Sequence, residues 1–209
     1  MIVAGVIGSK NNNIISKSIG SILSDKALKY SAIELCSFIE EGERALSSYL
    51  KELSKNDFDL AIIYIQEDFA NFRKPINIEF DILLFCMHDK NIHLIESNMG
   101  LYSNIIDHLN NSGSIIINSD FMIGSKLFEG KALHLVTYGF NSKASITASS
   151  VGDSLAEDFF LCSLQRPIID ITKRVLEPQE YKLKRTNVNA GDYEMLAIIA
   201  FGIVLGIDF

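Results

Sequence analysis

Short, nearly continuous apolar runs separated by helical patterns constrain the fold of this chain more than any other feature. Residues 59–65 (DLAIIYI), 80–87 (FDILLFCM) and 114–118 (SIIIN) are too short for core helices and carry almost no polar alternation. Strands of that kind are buried on both faces, as in parallel sheets covered by helices. Residues 2–7 and 133–138 read as two more strands. Between them lie helical patterns. Residues 14–23 form one, and residues 41–55 another, with Leu46, Tyr49, Leu50 and Leu53 on one face. Tyr102, Ile105, Ile106 and Leu109 repeat that spacing, with Asn110-Asn111-Ser112-Gly113 as the stop signal. The alternation predicts an α/β fold, a P-loop-like, mostly parallel sheet with helices on both faces.

After Gly139 the texture changes. Ala144, Ile146 and Ala148 alternate with Ser145, Thr147 and Ser149, the pattern of a half-exposed strand. Residues 159–163, 167–172 and 181–184 are further short strand candidates, which together predict a small added antiparallel sheet. Residues 192–205 read as a closing apolar helix capped by Asp192. With 209 residues, 48% of them hydrophobic, the chain suits a single domain over residues 1–209. A net charge of −7 argues against nucleic-acid binding, which needs a basic footprint. No basic leader opens the chain, and its longest apolar stretch, residues 195–207, is too short for a membrane span. The expectation is a soluble cytoplasmic protein with no membrane partner. Cys36, Cys86 and Cys162 are widely spaced and form no CxxC pair, so neither zinc nor a redox motif is indicated. Cys86 and Cys162 lie in apolar runs and read as small core residues.

The first strand leads into Gly5-Val6-Ile7-Gly8-Ser9-Lys10-Asn11-Asn12-Asn13. A strand, a glycine-bearing turn and a helix gather backbone N–H groups where they can hold phosphates. The Gly-Lys-Ser/Thr that ordinarily completes such a loop is missing, and asparagines stand in its place. Gly5, Gly8, Ser9, Lys10, Asn11, Asn12 and Asn13 are therefore the candidate nucleotide-binding residues of a degenerate loop. Asparagine tolerates positive φ, so the shape can persist without the charge.

Taken in order, these segments resemble the central, ATP-binding domain of the Mur ligases, which add amino acids to peptidoglycan precursors. Gly5-Val6-Ile7-Gly8-Ser9 resembles the family's Gly-Val-Thr-Gly-Thr, and Phe80-Asp81-Ile82-Leu83-Leu84-Phe85 resembles its "FDxAVF". Ile115-Ile116-Ile117-Asn118-Ser119-Asp120 resembles "VINxDD", and Val136-Thr137-Tyr138-Gly139 resembles "TFG". Leu196-Ala197-Ile198-Ile199-Ala200 resembles "LAAIA". The resemblance implies a central domain alone, without the family's N-terminal substrate domain and C-terminal domain.

The same comparison places the family's charged positions. The loop lysine and metal hydroxyl fall on Asn12 and Asn13, and the loop glycine on Asn11. The magnesium glutamate of "VxEVSS" falls on Tyr64, with Glu67 and Asp68 just beyond as loop acids. In "TNxxxDHLD" the asparagine falls on Met87 and the histidine on Ile92, one place before His93, a weak metal candidate. The carbamylated lysine of "YxxAK" falls on Ile106, and the adenine asparagine on Glu194. His88-Asp89 reads as a surface turn, His108 as a helix surface residue and His134 as a packed or hydrogen-bonded strand residue.

Acyl-phosphate chemistry needs cationic charge on the γ-phosphate and a magnesium site. With those positions replaced together, the expectation is a non-catalytic protein acting as a binding or interaction module. It has no catalytic residue, metal or cofactor, and takes a protein partner or a second copy of itself. The alternative is an ATP-dependent amide ligase, or a subunit of one, using ATP and Mg with Lys10 and His93 compensating and a partner chain completing it.

Overall fold

The computed structural model describes residues 1–8, 12–38, 43–66, 78–86, 99–121, 127–149, 159–184 and 190–209. The strands are β1 (Ile2–Gly8), β2 (Tyr30–Glu34), β3 (Leu60–Gln66), β4 (Phe80–Cys86), β5 (Leu109–Asn118) and β6 (His134–Tyr138). They continue with β7 (Ile146–Ala148), β8 (Phe159–Leu164), β9 (Ile168–Ile169), β10 (Val175–Leu176) and β11 (Glu180–Lys184). The helices are α1 (Asn12–Asp25), α2 (Glu43–Lys55), α3 (Met99–Asp107) and α4 (Asp192–Val204).

Nine strands form one sheet in the order β11-β8-β7-β6-β5-β4-β1-β3-β2. From β2 to β7 every pairing is parallel, so the apolar runs sit where runs without alternation belong. The antiparallel part comes in two pieces: β8 and β11 extend the main sheet, while β9 and β10 pair as a separate ribbon.

Successive residues of β1 point to opposite faces and feed two cores. Val6 faces Ile15, Ile19 and Leu23 of α1 and the apolar residues of α4. Ile7 faces Leu46 of α2 and Tyr102, Ile105 and Ile106 of α3. From Met195 to Val204 every residue of α4 is buried, so this helix is apolar all round, as its lack of a polar face predicts.

Two boundaries and one strand differ from the sequence reading. β5 begins at Leu109, so Asn110-Asn111-Ser112-Gly113 is strand and not a helix stop. Asn110 lies there because its Nδ2 donates to Asp81 Oδ1 at 2.6 Å, binding the strand's polar start to β4. Asp192 is the first residue of α4 and not its cap; Gly191 occupies that place, without a side-chain hydrogen bond. β2 was missed, because an edge strand reading Tyr-Ser-Ala-Ile-Glu is half exposed and lacks an apolar run.

Candidate functional site

Parallel register brings three strand ends level. Gly8 pairs with Gln66 of β3 on one side and Cys86 of β4 on the other. The chain leaves β1 outward to β2, returns to β3, and crosses to β4 on the far side of β1. Such a switch point is where open α/β sheets bind ligands, beyond the carboxyl ends of the strands.

Of the candidate loop residues, Gly5 and Gly8 lie in β1, and Asn12 and Asn13 open α1. Ser9, Lys10 and Asn11 lie outside the described residues, as do Glu67, Asp68, Met87, His88, Asp89, Ile92 and His93. Both glycines have a packing reason. A Cβ on Gly8 would stand 2.8 Å from the Cys86 carbonyl oxygen, and one on Gly5 would stand 2.7 Å from Leu83 Cδ2. β1 lies so close against β4 that side chains there would collide with it.

The positions matched to the family's charged residues are placed as follows. Tyr64 is 4% exposed, in the core beneath α1, and burial pushes its phenol up to about 12. Ile106 is 2% exposed and packs in the second core. Glu194 lies on the first turn of α4 and lines a small cleft with Ile15, Cys86, Asn118, Tyr138, Tyr193 and Ala197. Burial, with the Glu194 charge adding to it, holds the Cys86 thiol far above its usual range, so it is no nucleophile.

Around this cleft the structure joins two motifs that lie far apart in sequence. Asp120, just past β5, accepts from the backbone of Phe140 at 2.6 Å and of Asn141 at 3.1 Å, in the turn after β6. It also accepts from the Tyr193 hydroxyl of α4 at 3.1 Å. Burial pulls its pKa up, but these donors and the Asn141 side-chain amide, which also donates to Asp120, outweigh burial and the net shift is downward. Gly139 lets the turn approach, since a Cβ there would lie 2.8 Å from both Asp120 Oδ2 and Ser119 Oγ. The Tyr193 ring packs between Phe121 and Phe140, with ring centroids 5.1 and 4.8 Å away. Asp120 thus acts as a clamp, with its oxygens already engaged. Sequence reasoning quoted Asn118, Asp120 and Gly139 as motif residues and missed their link to Tyr193, for which no local spacing gives a signal.

The remaining candidates are structural. His134 Nδ1 lies 2.7 Å from Ser114 Oγ, and Ser114 is 1% exposed, so the half-buried ring is tied to a buried hydroxyl on the neighbouring strand. Burial, then the Lys173 charge, lowers the His134 pKa. His108 Nδ1 bonds to Asn104 O at 2.8 Å in the turn after α3. Cys86 and Cys162 are buried and Cys36 exposed, and all three are free thiols. Among the described residues no group of three or more His, Cys, Asp or Glu is placed to hold a metal. None of their helices is long and apolar enough to cross a membrane.

The sheet order and its switch point define an open, mostly parallel α/β fold with a cleft at its carboxyl edge. The particular version of that fold is found in the Mur ligases. No protein-family model and no curated protein matches the sequence, but solved structures match its fold. All of the chain superposes on 44% of UDP-N-acetylmuramoylalanyl-D-glutamyl-2,6-diaminopimelate–D-alanyl-D-alanyl ligase from Acinetobacter baumannii, with a TM-score of 0.66 and 15% identity. The MurF ligase from Thermotoga maritima in complex with ADP matches 99% of the chain over 46% of its own length, with a TM-score of 0.55 and 13% identity. The murein peptide ligase mpl from Psychrobacter arcticus matches 98% of the chain over 44% of its own, with a TM-score of 0.60 and 11% identity. The chain spans less than half the length of these structures, in keeping with the resemblance of its motifs to a central domain. At such identities the likeness is one of fold.

Proposed function

We propose that this protein is a non-catalytic binding or interaction module with the Mur ligase central-domain fold, working in the cytoplasm with a protein partner or a second copy of itself. The observation that carries the reading is Tyr64. Where the resemblance calls for a magnesium-holding glutamate, a tyrosine is packed into the core at 4% exposure. Ile106 supports it in the same way at the carbamylated-lysine position. Gly5 and Gly8 are accounted for by the approach of β4, so their presence does not require a phosphate. The free cysteines suit a reducing compartment. The purified chain is incubated with Mg-ATP and assayed for phosphate release and acyl-phosphate formation. Neither is expected above background, and turnover overturns the reading.

One finding favours a second reading, in which the degenerate loop binds nucleotide, alone or as a subunit of an ATP-dependent amide ligase. The Thermotoga maritima neighbour of the same fold carries ADP. Under this reading Lys10 supplies the phosphate charge, with Gly5, Gly8, Ser9 and Asn11 to Asn13 around it, and His93 serves Mg. A ligand at 100 times its Kd stabilises by about 2.7 kcal/mol. A thermal shift with Mg-ATP that is lost in Lys10→Ala supports this reading, and no shift in the native chain removes it.

A further inference from the structure

Asn118 ends β5 at 1% exposure, and the two ends of its amide have different environments. Its Oδ1 accepts from the Asp120 backbone at 2.9 Å, which fixes the orientation, because a flipped amide would set one donor against another. Its Nδ2 then lies in the cleft wall without a hydrogen-bond partner. A buried donor left unpaired bears the cost of its lost hydration with nothing to offset it.

The rest of the wall shows what can satisfy it. Ile15 and Ala197 are apolar, and Cys86 is a buried thiol. The Tyr138 hydroxyl gives its hydrogen to the Phe85 carbonyl at 3.0 Å, so its oxygen is left as an acceptor. The Tyr193 hydroxyl gives its hydrogen to Asp120. The Glu194 carboxylate adds negative charge, which disfavours an anion. The occupant must therefore accept from Nδ2, donate to an oxygen of the wall and carry no negative charge. The cleft volume is about 10 Å³, close to the space that one water needs.

We propose that this cleft is a binding site for a single internal water, which accepts from Asn118 Nδ2 and donates toward the Tyr138 oxygen and the Glu194 carboxylate. The water joins the end of β5 to the first turns of α4, beside the Asp120–Tyr193 clamp. The site needs neither nucleotide nor partner, so it stands apart from the function proposed above.

The test uses the whole chain without ATP, labelled with ¹⁵N at asparagine. The Asn118 side-chain amide is identified by its loss in Asn118→Leu, and Overhauser transfer from water to that amide is measured in both the laboratory and the rotating frame. Cross-peaks of opposite sign in the two frames, the mark of a long-lived bound water, are expected. They should disappear in Ala197→Val, whose added methyls fill the cleft. An absent cross-peak in the native chain overturns the proposal, whether or not the variant folds. A cross-peak unchanged in a folded Ala197→Val does so too.

Discussion

The Tyr193 hydroxyl donates to Asp120 Oδ2 at 3.1 Å, tying the first turn of α4 to the loop that leaves β5. The same oxygen accepts from the Phe140 backbone, so three parts of the chain meet at one carboxylate. Asp120→Ala leaves two backbone N–H groups, the Asn141 side-chain amide and a phenol without this acceptor. It is expected to cost about 2 kcal/mol. Urea denaturation at neutral pH measures it, and a cost near zero removes the clamp from the account.

Removing only the hydroxyl separates the hydrogen bond from ring packing. Tyr193→Phe keeps the ring between Phe121 and Phe140 and is expected to cost about 1 kcal/mol. In a double-mutant cycle with Asp120→Ala the two costs should fall short of additivity, since they share one bond. Strict additivity argues that the two side chains act independently.

Restoring a glutamate at the resemblance's magnesium position is expected to damage the protein. Tyr64→Glu removes a buried ring and sets a carboxylate among Ile15, Ile19 and other apolar side chains of the core. The expected loss is about 4 kcal/mol. Mg-ATP should give no recovery. A Tyr64→Glu protein as stable as the native one, or stabilised by Mg-ATP, contradicts the reading of this position as core.

Gly8→Ala tests whether the glycine serves packing. Its added methyl meets the Cys86 carbonyl at 2.8 Å, and relief requires β1 and β4 to part. Overpacking of this kind is expected to cost about 2 kcal/mol. A shift in the urea midpoint at unchanged slope reports it.

Asp170 gives the protein an acid-sensitive element. Its carboxylate is 2% exposed. It accepts from Thr172 N, Thr172 Oγ1, Arg174 N and Arg174 Nε, at 2.6 to 3.0 Å. Burial raises its pKa, and the Thr172 and Arg174 donors more than reverse that, so the net shift is downward. A depressed carboxylate contributes stability above its unfolded pKa, about 3.9, that is lost as pH falls through the folded value. Asp170→Ala should cost about 3 kcal/mol at pH 7. The difference should shrink below the folded pKa, and a difference independent of pH would show that the charge is not involved.

Legibility followed burial. β3 and β4 are readable because both faces are covered, which leaves runs such as Leu60–Gln66 nearly free of polar residues. β2 lies at the sheet edge, where Tyr30–Glu34 meets solvent and the apolar signal is diluted. The polar start of β5 imitates a turn, because what holds Asn110 is Asp81, a residue on another strand. For the site, motif order pointed to Gly8, Asn118 and Asp120, and the contacts gave them other duties. Close strand packing explains Gly8, and the Asp120 clamp depends on Tyr193 of α4, a partner that only folding brings near.

The burial of α4 on all sides bears on how the protein is made. Its residues cover one face of the central strands, yet they follow β4 by roughly a hundred residues. At ribosomal speeds of about 5–20 residues per second, Val6, Ile62 and Leu84 wait on the order of ten seconds for the part of their cover that α4 adds to α1. During that interval the emerging chain presents a greasy, half-built sheet, the kind of surface that nascent-chain chaperones hold. Completion of this domain is therefore set by when α4 emerges and not by when the strands pair.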